Sequence, residues 1–288
     1  MANGQDGEAG RAGLTIDAHH HLWRYRAPEY GWINDAMAAL RRDFLPAELE
    51  REIREAGVQG TVAVQARETV EETNWLLECA RSSPAIRGVV GWAPLAADNL
   101  AAVLDGWSEE RRLVGFREIA QGKPAGFLDD ERFNRGVGQL AERNLTYDVL
   151  IYENQLQEAI RFVDAHPRQR FVLDHAAKPR IAAAELEPWR THLRDLARRE
   201  NVVCKVSGFV TEADWERWTP EDLRPYLDVC VEAFGVERLL AGSDWPVCLT
   251  AASYSRWWAV LRQYFAAFRP EEKQRIFGGN AMEFYALP

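Results

Sequence analysis

The stretch LTIDAHHHLW, residues 14–23, is a short apolar run that closes in three consecutive histidines. Side chains alternate between the two faces of a strand. His19 and His21 are therefore expected to point one way and His20 the other. Two imidazoles converging at the C-terminal end of a strand can hold a metal or polarise a bound carbonyl. An affinity tag is the plainer alternative, but tags sit on floppy termini and this triplet follows a strand-like run.

Outward from that run, seven more apolar segments of strand length recur, over 58–65, 87–93, 113–118, 145–151, 170–175, 202–207 and 238–243. Most are rich in Val, Ile or Leu and nearly continuous in apolar character, as parallel strands buried on both faces should be. Helical stripes lie between them: Phe133, Val137 and Leu140; Leu186, Trp189, Leu193 and Leu196; Leu223, Leu227, Cys230, Val231 and Phe234. Gly57 and Gly235 read as helix stops. Eight strands, each followed by a helix, predict an α/β fold of the (β/α)₈ TIM-barrel class, a single domain over residues 14–288. The segments leaving strands are long (22–44, 119–129, 208–219, 245–254) and those returning to strands are short, so strand C-termini are where a barrel's site is expected.

The 288 residues fit one large barrel, and 47% hydrophobic residues suffice for its core. A net charge of −9 without a basic cluster argues against nucleic-acid binding. No apolar stretch is long enough for a transmembrane helix. Residues 1–13 (MANGQDGEAGRAG) are polar and Gly-rich, lack the apolar core of a signal peptide, and are expected to be a disordered tail. Cys79, Cys204, Cys230 and Cys248 are scattered, which reads as reduced thiols in a cytoplasmic enzyme.

Taken in order, the strand ends form an ionisable ring: His19 and His21; Gln65; Arg117 and Glu118; Asp174, His175 and, just beyond, Lys178; Lys205 and Ser207; Ser243 and Asp244. Polar groups placed this consistently at one end of apolar strands are costly to bury for packing alone. D-x-H-x-H over 17–21, DH at 174–175, K-x-S-G over 205–208, GSDWP over 242–246 and FGGNA over 277–281 together resemble the amidohydrolase superfamily. More narrowly, the chain resembles the amidohydrolase-2 branch of sugar-lactone hydrolases. The segments HLWRYRAPEYGWI, AVQAR, VVGWAPL, VLDHAAKP, VVCKVSGFVTEADW and GSDWPVCLTAASY carry that narrower likeness.

The resemblance implies a (β/α)₈ fold and hydrolysis of an aldonolactone, L-fucono-1,5-lactone or a relative, with no metal required. The residues agree in part. The fifth strand (LTYDVLI) has no histidine, and Lys205 adds a positive charge that disfavours a cation and suits an oxyanion. Yet His19, His21, His175 and Asp244 could chelate a single Zn²⁺. Asp244 is expected as general base and then general acid, with His19, His21, His175 and Lys205 orienting the substrate and donating to the carbonyl. Trp32, Gln65, Arg117, Glu118 and Tyr152 are the expected sugar-binding residues. The sugar lactonases that the chain resembles follow the fourth-strand Arg with His, whereas Glu118 stands here, which leaves the choice of sugar open. The alternatives are a metal-dependent amidohydrolase or decarboxylase using one zinc at the same residues, and a catalytically dead barrel serving as a scaffold. Partners beyond a small sugar lactone are not expected, and homo-oligomerisation is left open.

Overall fold

The computed structural model describes residues 13–288. The expected tail over residues 1–13 lies, apart from Gly13, outside the described residues. Eight parallel strands pair in sequence order: β1 Ile16–His20, β2 Gly60–Val64, β3 Ile86–Gly91, β4 Leu113–Ile119, β5 Thr146–Leu150, β6 Phe171–Leu173, β7 Val202–Val206 and β8 Leu239–Ala241. A helix follows each: α1 Pro46–Glu55, α2 Val70–Ser82, α3 Leu100–Asp105, α4 Glu131–Glu142, α5 Leu156–Ala165, α6 Trp189–Leu196, α7 Pro220–Phe234 and α8 Tyr254–Tyr264. This is the (β/α)₈ barrel expected from the periodicities. Ala18, Val62, Val90, Val172, Val203 and Leu240 belong to the layer inside the barrel, and a larger layer packs between strands and helices. Having two apolar layers explains why the strands are apolar on both faces. Several helices start on side-chain caps, such as Asp130 Oδ1 accepting from Phe133 N (2.8 Å) and Ser253 Oγ accepting from Arg256 N (3.2 Å).

Two departures from regularity shape the site. In β1, Asp17 pairs with Thr61 and His20 with Ala63, so the strand carries one extra residue between them. This bulge breaks strict alternation. Ile16 and Ala18 face the barrel interior, whereas Asp17 faces out to Tyr254 on α8. The chain then turns His19 inward and His20 outward, where its Nε2 meets Thr61 Oγ1 at 3.0 Å. The β1–β8 seam closes mainly at its top. There His21 N donates to Trp245 O (2.6 Å) and Asp244 N to His19 O (2.8 Å). The Asp17 carboxylate accepts from Ser243 N (2.8 Å), Ser243 Oγ (2.6 Å), Tyr254 OH (3.0 Å) and His19 N (3.1 Å). Burial nevertheless pushes its pKa up to about 6.

After α9 (Pro270–Gln274), helix α10 (Asn280–Phe284) and its C-terminal continuation seal the other end of the barrel. Ala281, Tyr285 and Leu287 join the interior layer, and Tyr285 reaches up the barrel to donate its OH to Asp148 Oδ2 at 2.8 Å.

Candidate active site

The deepest polar layer is wholly buried. Lys205 on β7 donates to Asp148 Oδ2 on β5 (2.5 Å) and to His19 Nδ1 (3.1 Å), and lies 2.9 Å from Asp174 Oδ1. Arg117 on β4 donates through Nη1 to Asp174 Oδ2 (3.0 Å) and through Nη2 to the Gln65 carbonyl. Two cations therefore face two carboxylates inside the barrel, the arrangement that makes buried charge tolerable. Burial pushes the Asp148 carboxyl up to about 6. Burial acts in the same direction on Asp174, but the neighbouring charges of Lys205 and Arg117 hold it well below the usual carboxylate range. Burial, then the charge of Lys205, holds His19 well below the usual imidazole range, so the ring is neutral at neutral pH.

Above that layer, His21, His175, Asp244 and the edge of Arg117 reach a cleft of about 350 Å³. Asp244 Oδ1 lies 3.3 Å from His21 Nε2, 3.7 Å from His19 Nε2 and 3.9 Å from His175 Nε2. His21 Nδ1 donates to the Val64 carbonyl at 2.8 Å, which orients the ring. Burial raises Asp244, yet His175, then His21, bring its pKa below the ordinary value. Burial carries His175 down to about 4. Asp244 is thus an ionised carboxylate beside a neutral imidazole.

Both of these residues sit on unusual backbone. Asp244 has φ 58°, and His175, Ala176, Ala177 and Lys178 form a run of non-glycine residues at φ 47–59°. Each left-handed residue costs about 1–2 kcal/mol, and such conformations persist only where the surroundings over-determine them. The turn aims His175 across the barrel mouth, where its Nδ1 meets Ser207 Oγ at 2.8 Å. Gly208 packs against the same ring: its φ is 70°, and a Cβ there would lie 2.7 Å from His175 Nδ1.

The cleft walls come from the strand-to-helix loops. Trp32 (41% exposed) and Tyr152 (40% exposed) line it and stand out as exposed large aromatics among the described residues. Lys178 and Glu212 line it too, 3.9 Å apart. The structure therefore brings His21, His175, Asp244, Arg117, Trp32 and Tyr152 to one cavity. His19 and Lys205 lie beneath its floor. Gln65 is also buried below, donating through Nε2 to the Arg117 carbonyl at 3.1 Å. Glu118 is not brought to the cleft. It points outward, accepting from Trp92 Nε1 (2.7 Å) and from Lys123. Sequence reasoning passed over Asp148 and gave no role to Asp174. The signal for Asp148 was a lone acid inside the apolar run LTYDVLI.

A family model for Amidohydrolase matches residues 16–287. The chain belongs to the amidohydrolase-2 family. Among its relatives, an L-fucono-1,5-lactonase of Burkholderia multivorans is 42% identical, covering 96% of this chain and 97% of that one. A second L-fucono-1,5-lactonase, from Burkholderia ambifaria, is 35% identical, covering 95% of this chain and 96% of that one. A crystal structure of a Burkholderia multivorans amidohydrolase with bound zinc superposes with a TM-score of 0.93 at 41% identity. It covers 96% of this chain and 100% of that one.

The donors of this amidohydrolase fit one small cation by spacing. Ligand atoms about 2.0–2.2 Å from a tetrahedral zinc lie about 3.3–3.6 Å from one another. His19 Nε2 and His21 Nε2 are 3.2 Å apart, and the Asp244 Oδ1 distances of 3.3 and 3.7 Å are close to that edge length. His19, Asp174 and His175 form a second, overlapping group.

Proposed function

We propose that the protein opens a sugar-acid lactone, L-fucono-1,5-lactone or a related aldonolactone, to the free aldonate, without an essential metal. The observation that carries this reading is the Asp244 carboxylate on the floor of a cleft ringed by His21, His175 and Arg117. The two lactonase relatives supply the substrate class, and the exposed Trp32 and Tyr152 suit the apolar face of a sugar ring.

Asp244 takes a proton from a water as that water's oxygen bonds to the ester carbonyl carbon. Arg117 faces the oxygen on which negative charge develops, as a donor already in place before the reaction, and His19 supports it from beneath the floor. Collapse breaks the ring C–O bond, and Asp244 returns its proton to the departing alkoxide. The aldonic acid then ionises and releases one proton to solvent. Lys205 acts from below by holding His19, and the Arg117 fork suits the product carboxylate.

Asp244→Asn cannot accept the proton, and kcat is expected to fall by roughly 10²–10⁴-fold with the fold retained by circular dichroism. Wild-type turnover in that variant would remove Asp244 from the mechanism. The donor spacing of His19, His21 and Asp244 and the zinc-bound relative favour a second reading, in which these three, with His175 as a further ligand, hold one divalent cation. When bound, such an ion would supply Lewis-acid polarisation of the carbonyl. The four free, buried cysteines support the proposed cytoplasmic location.

A further inference from the structure

We propose, on the metal-independent reading of the site, that Lys205 is a positioning residue that fixes the tautomer of His19. It makes Nε2–H a hydrogen-bond donor toward the cleft, and so sets the site against retaining a divalent cation.

The support is the stoichiometry of donors and acceptors. An ammonium has three N–H groups and no lone pair, so whatever it hydrogen-bonds must accept. Lys205 is fully buried; it hydrogen-bonds Asp148 Oδ2 at 2.5 Å and His19 Nδ1 at 3.1 Å, and it lies 2.9 Å from Asp174 Oδ1 as an ion pair. His19 Nδ1 must then carry its lone pair, and the proton of the neutral ring is on Nε2. That N–H points toward His21 Nε2 at 3.2 Å and Asp244 Oδ1 at 3.7 Å. Arg117 Nη1 also lies 3.4 Å from His19 Nε2, but Asp174 Oδ2 at 3.0 Å is its nearer and stronger acceptor.

The opposite tautomer has its acceptor in place. Asp174 Oδ1 is 3.4 Å from His19 Nδ1. Were Nδ1 to donate there, the ring would gain the carboxylate–histidine pairing that metal-binding histidines use, and Nε2 would offer a lone pair. Lys205 hydrogen-bonds the Nδ1 end of that contact and sets its charge beside the carboxylate end. It is itself braced by Asp148, whose Oδ2 also accepts from Tyr285 at the C-terminal end of the chain. The same donor set can therefore serve as a hydrogen-bonding site or a cation site, and one buried ammonium decides which.

Two measurements test this. In metal-free wild type, ¹⁵N-edited NMR of the His19 ring, assigned by comparison with His19→Gln, is expected to show the proton on Nε2. A proton on Nδ1 would overturn the assignment, whatever any variant does. Zinc affinity, measured by competition with a chromophoric chelator, is expected to be roughly tenfold or more tighter in Lys205→Met, since outer-shell partners shift metal affinity by about 10–100-fold. Unchanged or weaker binding by a folded Lys205→Met would also overturn it. Turnover of chelator-treated wild type reports separately on the lactonase reading. Its absence, with Nε2 protonated and zinc binding tightened in Lys205→Met, would sink metal-independent hydrolysis and leave the role of Lys205 standing.

Discussion

At the residue scale, the cleft divides its labour between a charged floor and aromatic walls. Arg117 spans the two. Its fork reaches Asp174 and the Gln65 carbonyl below while its edge faces the cavity. A lysine cannot reproduce that fork. Arg117→Lys is expected to lower kcat/KM by about tenfold or more, and unchanged kcat/KM would show that a point charge suffices. Trp32 and Tyr152 keep large apolar faces exposed at the mouth, with Trp32 anchored edge-on against Trp23. Trp32→Ala is expected to raise KM roughly tenfold, equivalent to about 1.4 kcal/mol of binding, with kcat nearly unchanged. A fall in kcat at constant KM would instead place Trp32 in transition-state stabilisation.

At the element scale, the strand ends carry the chemistry through irregular backbone. Gly208→Ala adds a methyl group against the His175 ring and strains a left-handed residue. It is expected to cost about 1–2 kcal/mol of stability and to lower kcat. A methyl group added at Gly138, within α4, would meet nothing within 4 Å, and Gly138→Ala should stabilise by about 0.5–1 kcal/mol without changing turnover. Equal effects of the two substitutions on kcat would argue against a special role for the Gly208–His175 contact. These elements also mark how far the sequence could be read. The apolar runs located all eight strands, and polar residues at their ends picked out His21, His175 and Asp244. Period-two alternation made His19 and His21 neighbours but would also have turned Asp17 inward, because the extra residue in β1 leaves no compositional mark. In β4 a similar shift, with Val89 opposite Leu113 and Val90 opposite Gly115, precedes the stretch that turns Arg117 inward and Glu118 outward. Alternation alone could not choose between those two. The left-handed run over 175–178 contains no glycine to announce it, and Asp148 makes sense only beside Lys205, a residue distant in sequence.

At the scale of the whole molecule, buried ionisable groups of opposite sign shape the response to pH. Burial lowers His19, His20 (to about 3) and His175 (to about 4) from an ordinary 6.5. The unfolded chain therefore binds more protons between those values and 6.5, and acidification through that window removes stability. Burial raises Asp17 and Asp148 to about 6 and Glu118 to about 7. For these the folded chain holds protons that the unfolded chain has lost, and acidification through their window adds stability. The two sets offset each other between about pH 4.5 and 6. Asp174 and Asp244, held low, contribute stability above the unfolded carboxylate value and lose it as pH falls through their folded values. Calorimetry is expected to show a nearly level melting temperature between about pH 4.5 and 6 and a fall below about pH 4. A steep loss between about pH 6 and 5 would show that the histidines dominate.

All three scales bear on the proposed hydrolysis, in which Asp244 activates water above a floor braced by Lys205 and Arg117. The most direct measurement is proton release from a panel of aldonolactones by chelator-treated wild type, with bound metal assayed in the same sample and spontaneous ring opening subtracted. Full turnover with far less than one metal per chain is the expected result, and the rank order would identify the sugar. Turnover that vanishes on chelation and returns only with zinc or manganese would contradict it, and would make His19, His21, His175 and Asp244 the ligands of a required metal.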